Sequence, residues 1–170
     1  MPQFLELSEL KRRLHITFED DDVELNGYLD AAESYLGDPE NGILRRPIVA
    51  QEFTEMFDSF ECIWLGFPDD ARNLSIAYLD PEGLPLVVGD IFTIYRGQIL
   101  LNHGQTWPRR TGPVVVTYTA GWEAGEIPAG IQEAGYFIAR TYYEQGDEMD
   151  ADRFRSVVGF KVAGYRRATL

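Results

Sequence analysis

Residues 114–146 read VVVTYTAGWEAGEIPAGIQEAGYFIARTYYEQG and contain a strand pattern followed by a helix pattern. It opens with β-branched residues from Val114 to Thr117 and reaches Gly121, which is typical of a strand that ends in a turn. Pro128 then stands where the first residue of a helix is favoured. The apolar residues that follow repeat at helical spacing and are Ile127, Ile131, Ala134, Ile138 and Tyr142. A strand followed directly by a helix indicates a chain that mixes both types of element.

Helical spacing also occurs in two segments near the N-terminus. The first carries Leu7, Leu10 and Leu14, and we predict Ser8 as its N-cap because small polar side chains accept hydrogen bonds from free backbone N–H groups. The second begins in the acidic run at residues 19–24, whose negative charge suits a helix N-terminus. The pattern predicts helices near residues 8–15, 20–36 and 128–145. Their predicted inward positions are Leu25, Leu29, Ala32, Ile131, Ala134 and Ile138.

Between these segments, short apolar runs alternate with turn residues, which is typical of an antiparallel sheet or sandwich. The runs lie at residues 47–57, 62–65, 74–79, 91–95, 99–101 and 114–118. The predicted fold class is therefore α+β, with a small helical bundle, an inserted antiparallel β-sheet or sandwich, and an extended C-terminal tail. The bundle takes two N-terminal helices and one C-terminal helix. We divide the chain into N-terminal helices at 1–47, a β insertion at 48–121, a bundle helix at 122–152 and a basic, apolar tail at 153–170.

The composition excludes several classes of protein. The 170 residues contain 15 basic and 28 acidic side chains, a net charge of −13, and a protein this acidic repels the phosphate backbone. We therefore expect no appreciable binding of duplex DNA. The single cysteine, Cys62, cannot form an internal disulfide, and its apolar neighbours predict a buried thiol. No segment has the pattern of a membrane span or a signal peptide.

The sequence offers no recognisable catalytic, cofactor or metal site. The acidic run lacks the glycine and glutamate of a calcium-binding EF-hand loop, and His15 and His103 lack metal-ligand spacing around them. No glycine-rich phosphate loop or nucleophile elbow occurs. We therefore predict no enzyme activity and no cofactor.

Two alternative functions stay open at this stage. One is a β-rich ligand- or carbohydrate-binding domain with helical flanks, for which Trp64, Trp107 and Trp122 are the candidate residues. It requires a groove in which Trp64, Trp107 or Trp122 is exposed. The other is a hydrolase, which requires a buried pair of carboxylates with displaced pKa values.

The tail at residues 153–170 differs in charge from the rest of the chain. It carries five basic residues and no acid, whereas residues 1–152 carry ten basic and 28 acidic residues. It also holds several large apolar side chains, which a purely solvated, frayed terminus does not usually carry. The predicted partner-binding residues are Arg153, Phe154, Arg155, Phe160, Lys161, Val162, Tyr165, Arg166 and Arg167. We expect this tail to be mobile in the free chain, so that a chain ending at Asp152 still folds.

Two groups of motifs resemble the head–tail connector (adaptor) family of tailed phages and gene-transfer agents. The first is the opening Leu7-Ser8-Glu9-Leu10-Lys11, followed by acids and then by residues 29–36, LDAAESYL. The second is the strand end at residues 118–121, YTAG, then the helix start at 127–134, IPAGIQEA, and the Tyr142-Tyr143-Glu144 helix end. The middle of the chain is similar to the longer, β-containing version of the family.

The resemblance implies a structural virion protein without catalytic residues. Such adaptors assemble as a ring, typically of twelve copies, below the portal protein. They join the DNA-filled head to a downstream stopper or tail protein and line the channel through which DNA passes. The expected location is the neck of the virion, assembled in the host cytoplasm, and the expected partners of the tail are the portal or a neighbouring subunit.

Overall fold

The structure is a computed structural model that describes residues 4–39, 41–68, 71–123, 125–146 and 150–166. The chain forms two compact units. The helical unit combines Met1–Val49 with Trp122–Leu170, and the β unit is Ala50–Gly121. Helices fill the first unit and an antiparallel sheet fills the second, so the predicted α+β class is confirmed. None of the helices in the described part of the chain is long and apolar enough to cross a membrane.

The helical unit is built on the three predicted helices. They are α1 (Leu7–Leu14), α2 (Asp22–Gly37) and α3 (Ala129–Gln145). All six predicted inward positions, on α2 and α3, are buried in one apolar cluster. The prediction of Ser8 as N-cap is wrong, because α1 begins at Leu7 and Glu6 is its N-cap residue without a side-chain capping bond. Pro128 is the N-cap residue of α3 rather than its first helical residue.

The N-terminal segment is fixed to α2 by a buried carboxylate. Oε1 of Glu33 accepts hydrogen bonds from the backbone N–H groups of Phe4 at 2.7 Å and Leu5 at 2.8 Å. Burial raises the pKa of Glu33, and these two bonds oppose that rise. Leu5 also lies against α3, where a Cβ at Gly135 would stand 2.7 Å from its side chain. A glycine at this position therefore permits the close approach of the segment to the helix.

A surface ion cluster links α1 to α3. Glu9 accepts hydrogen bonds from Arg12 and Arg13 within α1, and Arg13 also donates to Glu133 of α3 at 2.5 and 2.8 Å. The bonds from Arg12 and then Arg13 lower the pKa of Glu9 to about 2. The bond from Arg13 likewise lowers the pKa of Glu133. Both carboxylates therefore favour the charged state when the chain is folded.

The predicted extended tail is a helix in the structure. Residues Ala151–Lys161 form α4, and a 3₁₀ turn follows at Ala163–Tyr165. Asp150 caps α4, because its side chain accepts from the backbone N–H groups of Asp152 and Arg153. The extended conformation predicted for residues 153–166 is thus corrected, and residues 167–170 lie outside the described part.

The β unit contains a four-stranded antiparallel sheet and a separate hairpin. The strands are β1 (Gln51–Phe57), β2 (Arg72–Leu79), β3 (Pro85–Val87), β4 (Phe92–Tyr95), β5 (Gln98–Leu101) and β6 (Thr111–Ala120). The sheet has the order β1-β6-β2-β3, and β4 pairs with β5. One face of the sheet packs into a second apolar cluster that includes Phe53, Ile76 and Tyr118. From Val114 onward, fully buried residues alternate with partly buried ones along β6, which agrees with its predicted strand pattern.

Two details of the β unit differ from the prediction. The run at residues 62–65 is not a strand; it makes one isolated bridge, between Trp64 and Gln98. Side chains hold the loop that follows, since Glu55 accepts from the backbone N–H of Gly66 and the Tyr118 hydroxyl accepts from that of Phe67. Strand β3 was not predicted. Cys62, predicted to be buried, is exposed.

Candidate interaction surface on the C-terminal helix

Helix α4 has a buried face and an exposed face. Phe154, Val158 and Val162 are spaced by four residues and are 7%, 0% and 0% exposed. This spacing places them along one side of the helix, against the core of the helical unit. The opposite side carries Phe160, which exposes 86% of its surface, together with the less exposed Val157. One short helix therefore both completes a core and presents apolar surface.

Aromatic contacts fix α4 on the helical unit. The ring of Phe154 lies 5.5 Å from Tyr35 of α2, and 5.8 and 6.4 Å from Tyr142 and Phe137 of α3, measured between ring centroids. The ammonium group of Lys161 lies 5.0 Å from the centroid of the Phe137 ring, which is a cation–π distance. These contacts to two helices make α4 part of the bundle.

The segment after α4 is also attached to the helical unit. The guanidinium Nε of Arg166 donates to the carbonyl oxygen of Ile43 at 3.1 Å. The ring of Tyr165 packs so closely on α3 that a Cβ at Gly130 would lie 3.0 Å from it. Tyr165 and Arg166 therefore continue the attachment of α4 to the helical unit.

The predicted partner-binding residues divide between the two faces of α4. Phe154 and Val162 are 7% and 0% exposed and pack in the core, so they offer little surface to a partner in this conformation. Tyr165 is half-buried against α3. The residues that remain exposed are Arg153, Arg155, Phe160, Lys161 and Arg166. Arg167 lies outside the described residues. We call the exposed residues together with Val157 the α4 face.

A groove of about 730 Å³ lies beside the α4 face, between the end of α3 and the start of α4. Phe137, Phe154 and Val157 give it an apolar floor, and its charged lining residues are two arginines and two acids: Arg140, Arg153, Glu144 and Asp150. Sequence reasoning did not identify Val157 or Arg140 as surface residues of this site. The spacing of three between Val157 and Phe160 is the signal that places them on one side of a helix.

Two of the three candidate tryptophans for a carbohydrate site pack against other side chains. Trp107 stacks on Phe60 with ring centroids 4.8 Å apart and lies against the apolar cluster of the β unit. Trp122 is covered by the guanidinium group of Arg46, whose carbon lies 4.4 Å from the ring centroid. Trp64 is exposed. The observations therefore do not favour this alternative.

The acidic residues give no support to a hydrolase either. Across the described ranges, Glu33 is the one buried acid, and both of its observed hydrogen bonds hold the N-terminal segment. The same part of the chain contains no group of three or more His, Cys, Asp and Glu residues positioned to hold a metal ion. The described residues thus give no observation that favours the hydrolase alternative.

Part of the sequence matches a known protein family. Residues 4–58 match the sequence profile of the family described as "Phage gp6-like head-tail connector protein". The matched part contains α1, α2 and β1, and it covers 55 of the 170 residues. The predicted resemblance to the head–tail connector family is confirmed. No curated protein matches the sequence.

Solved structures extend the similarity in fold to nearly the whole chain. A chain from "Neck of empty GTA particle computed with C6 symmetry" superposes with a TM-score of 0.71 and 18% identity. The superposition covers 98% of the present chain and 91% of the neck chain. A chain from "Virion of native gene transfer agent (GTA) particle" gives a TM-score of 0.68 and 19% identity at the same coverage. A third chain, from "Neck of native GTA particle computed with C12 symmetry", gives a TM-score of 0.68 and 17% identity, also at the same coverage. The arrangement of helices and strands is thus that of these chains.

Proposed function

We propose that the chain is a structural protein of the virion neck that joins the DNA-filled head to the tail in a tailed phage or gene-transfer agent. The observation that carries the proposal is the fold match over 98% of the chain to chains from gene transfer agent particles. The connector profile over residues 4–58 supports the same function from sequence alone. The protein takes no part in catalysis and needs no cofactor.

In this function, copies of the chain form a ring below the portal protein, and the proposed number of copies is twelve. Two matched neck structures were computed with C6 and C12 symmetry, and cyclic symmetry of this kind arises when one surface of each copy binds a different surface of the next. The α4 face is the surface that contacts the portal or a neighbouring subunit. A downstream stopper or tail protein occupies the other side of the ring.

The acidic composition suits a protein that lines a DNA channel. At a net charge of −13, the chain repels phosphate groups, so DNA slides past it without binding. A mobility assay with duplex DNA at physiological salt should show no complex at micromolar protein. A charge-neutralised variant of the α4 face, Arg153→Ser with Arg155→Ser, should behave like the unmodified chain. Tight binding of duplex DNA would contradict the channel function.

The test of the ring is electron microscopy of the purified chain mixed with the portal protein of the same particle. Class averages viewed along the portal axis should show a ring of connector density with cyclic symmetry below the portal. The matched comparison is Phe160→Asp on the α4 face against Ser156→Ala, an exposed neighbour on the same helix. The first change should reduce ring occupancy and the second should not. Portal particles that never acquire connector density would refute the proposed function.

A further inference from the structure

The β2–β3 hairpin exposes a group of large apolar side chains. Leu84 exposes 60% of its surface and Val87 65%, and Leu79 and Leu86 are also exposed. We call these four residues the hairpin patch. Scattered exposed apolar residues are ordinary, but these four lie on one hairpin, with Leu79 and Val87 on one face of the strand pair and Leu86 on the other, and such a concentration is typical of interaction sites. The sequence analysis did not identify it.

The hairpin patch is held in place by its own hydrogen bonds. The carboxylate of Asp80 accepts from the backbone N–H groups of Glu82 at 3.0 Å and Leu84 at 2.8 Å. Gly83 has a φ of +83°, a conformation that a glycine adopts without strain. Strand β3 then pairs with β2 through Val87–Ala77 and two further residue pairs. A preorganised surface of this kind loses little entropy when it binds.

Strand β3 also lies at the edge of its sheet. In the order β1-β6-β2-β3 it has one neighbouring strand, so its outer side is open within the described chain. Proteins usually protect such edges by keeping them short or by covering them, and β3 has only three residues. The exposed leucine and valine side chains around this edge favour a partner that covers it.

The charge around the hairpin patch is opposite to that of the α4 face. Residues 80–90 contain three acids, Asp80, Glu82 and Asp90, and no basic residue, which gives a charge of −3, and Arg109 and Arg110, next to the strand partner of Leu79, reduce this to −1. The α4 face contains four basic residues, Arg153, Arg155, Lys161 and Arg166, which gives +4. Asp152, an exposed acid on the same helix, lowers this charge to +3, so each surface combines exposed apolar side chains with a net charge, and the two net charges are opposite in sign. They are complementary in both respects.

We propose that the hairpin patch of one copy binds the α4 face of the next copy. The inference deepens the proposed function and rests on it, because it names the subunit contact that builds the ring. Neither surface is covered within its own chain, since Phe160 and Val87 are both exposed there. Two different surfaces in contact make a heterologous interface, which closes into a ring when the rotation between copies permits. Phe160 is the aromatic anchor of the contact, and the charges around it steer association.

The first experiment uses two full-length variants that each lose one surface. The hairpin-blocked variant carries Leu84→Asp and Val87→Asp, and the α4-blocked variant carries Arg155→Glu and Phe160→Asp. Each variant alone should sediment as a monomer. An equal mixture should form one-to-one dimers and nothing larger, because the intact hairpin patch of one variant binds the intact α4 face of the other. Circular dichroism and melting temperature confirm that both variants are folded.

Two outcomes of this mixture would overturn the inference. One is the absence of a mixed dimer at concentrations up to about 1 mM, where even an interaction of about −4 kcal/mol becomes visible. The other is a dimer of the α4-blocked variant alone, which would mean that the hairpin patch binds another hairpin patch. The exposed single cysteine, Cys62, provides a site for a fluorescent label on one of the two variants.

A charge exchange tests the pairing directly. Glu82→Lys should weaken self-association about tenfold, and adding Arg155→Glu to the same chain should restore it, because the two signs are then reversed together. The control is Glu126→Lys, an exposed residue of the helical unit outside both surfaces, combined with the same Arg155→Glu. This second pair should not restore association. Equal rescue by both pairs would reduce the effect to net charge and refute the specific contact.

Mixing with the portal protein separates failure of this inference from failure of the proposed function. If the hairpin-blocked variant still forms complete rings on the portal, the α4 face binds the portal instead, and the inference is wrong while the neck function stands. If the mixed dimer forms but no variant or unmodified chain joins the portal, the subunit contact stands and the neck function is wrong.

Discussion

Replacement of Phe154 by alanine should strongly destabilise the helical unit, whereas replacement of Phe160 should not. The two phenylalanines lie on the same helix, six residues apart, and they differ in environment: Phe154 is 7% exposed and Phe160 is 86% exposed. Each change removes the same atoms and leaves the same residue. Any difference between them therefore reports the burial of one face of α4.

The structure sets the expected magnitude. Truncation of Phe154 removes a ring that contacts aromatic side chains on both α2 and α3, and it leaves a cavity among them. Such a change costs about 3–5 kcal/mol of unfolding free energy. An exposed substitution such as Phe160→Ala changes stability by no more than about 0.5 kcal/mol. Because domains are typically stable by only about 5–15 kcal/mol, the first loss is a large part of the total.

Urea unfolding followed by far-ultraviolet circular dichroism is the appropriate assay. The described helices all belong to the helical unit, so the helical signal reports that unit rather than the sheet. The midpoint should fall clearly for Phe154→Ala and stay close to that of the unmodified chain for Phe160→Ala. A loss below about 0.5 kcal/mol at Phe154, or equal losses at both positions, would refute the assignment of α4 to the core.

Three further predictions concern the helical unit. Leu29→Ala and Ile138→Ala should each cost about 2–5 kcal/mol in the same urea assay, because both side chains are fully buried; losses typical of surface sites would contradict the helix packing. Glu33→Ala should cost about 1–3 kcal/mol per backbone N–H left without its acceptor, and Glu33→Gln should cost less; equal losses would show that the hydrogen bonds do not matter. The folded-state pKa values of Glu9 and Glu133 are lowered, so their stabilisation is present above the usual glutamate pKa and is lost as the pH falls below it, toward about 2 for Glu9. Melting temperatures across this acid range should depend less on pH in Glu9→Gln, and an unchanged pH profile would contradict the ion cluster.

The helices α2 and α3 could be predicted from the sequence because their apolar residues follow one period without interruption. Leu29 and Ile138 each belong to such a row, and the period alone determines which side faces the core. The boundaries were less accurate. The cap at Ser8 was misplaced because a small polar residue can occupy the first turn of a helix as well as its N-cap.

The sequence contains two opposing signals for the C-terminal helix: the charge of residues 153–170 suggests a tail, and their apolar spacing indicates a helix. Phe154, Val158 and Val162 already have the helical spacing of four, and Asp150 is a residue that often caps a helix. The five basic residues and the two glycines of this segment suggested a flexible tail instead. In the structure Arg153, Arg155 and Lys161 are exposed on a helix, where they leave the buried row unaffected.

Two features of the β unit depend on contacts that are distant in sequence. The run at 62–65 has the composition of a strand, but its continuation is held by Glu55 and by Tyr118, which lies 51 residues from the backbone group it binds. Strand β3 begins with Pro85, which a central strand would exclude and an edge strand accepts. Local pattern cannot distinguish these situations, because the position of a strand in its sheet is decided by tertiary packing.

Because one face of α4 is buried and the other exposed, a partner contact of this helix has to be tested by substitution rather than by deletion. The sequence suggested deletion of residues 153–170, on the assumption that the tail is separate from the fold. The structure places Phe154, Val158 and Val162 in the core, so a chain ending at Asp152 exposes the apolar surface of α2 and α3 that these side chains cover. That chain would fail to assemble because its bundle is incomplete, even if α4 bound no partner. Only substitutions on the α4 face, such as Phe160→Asp, remove a partner contact while the buried row remains intact.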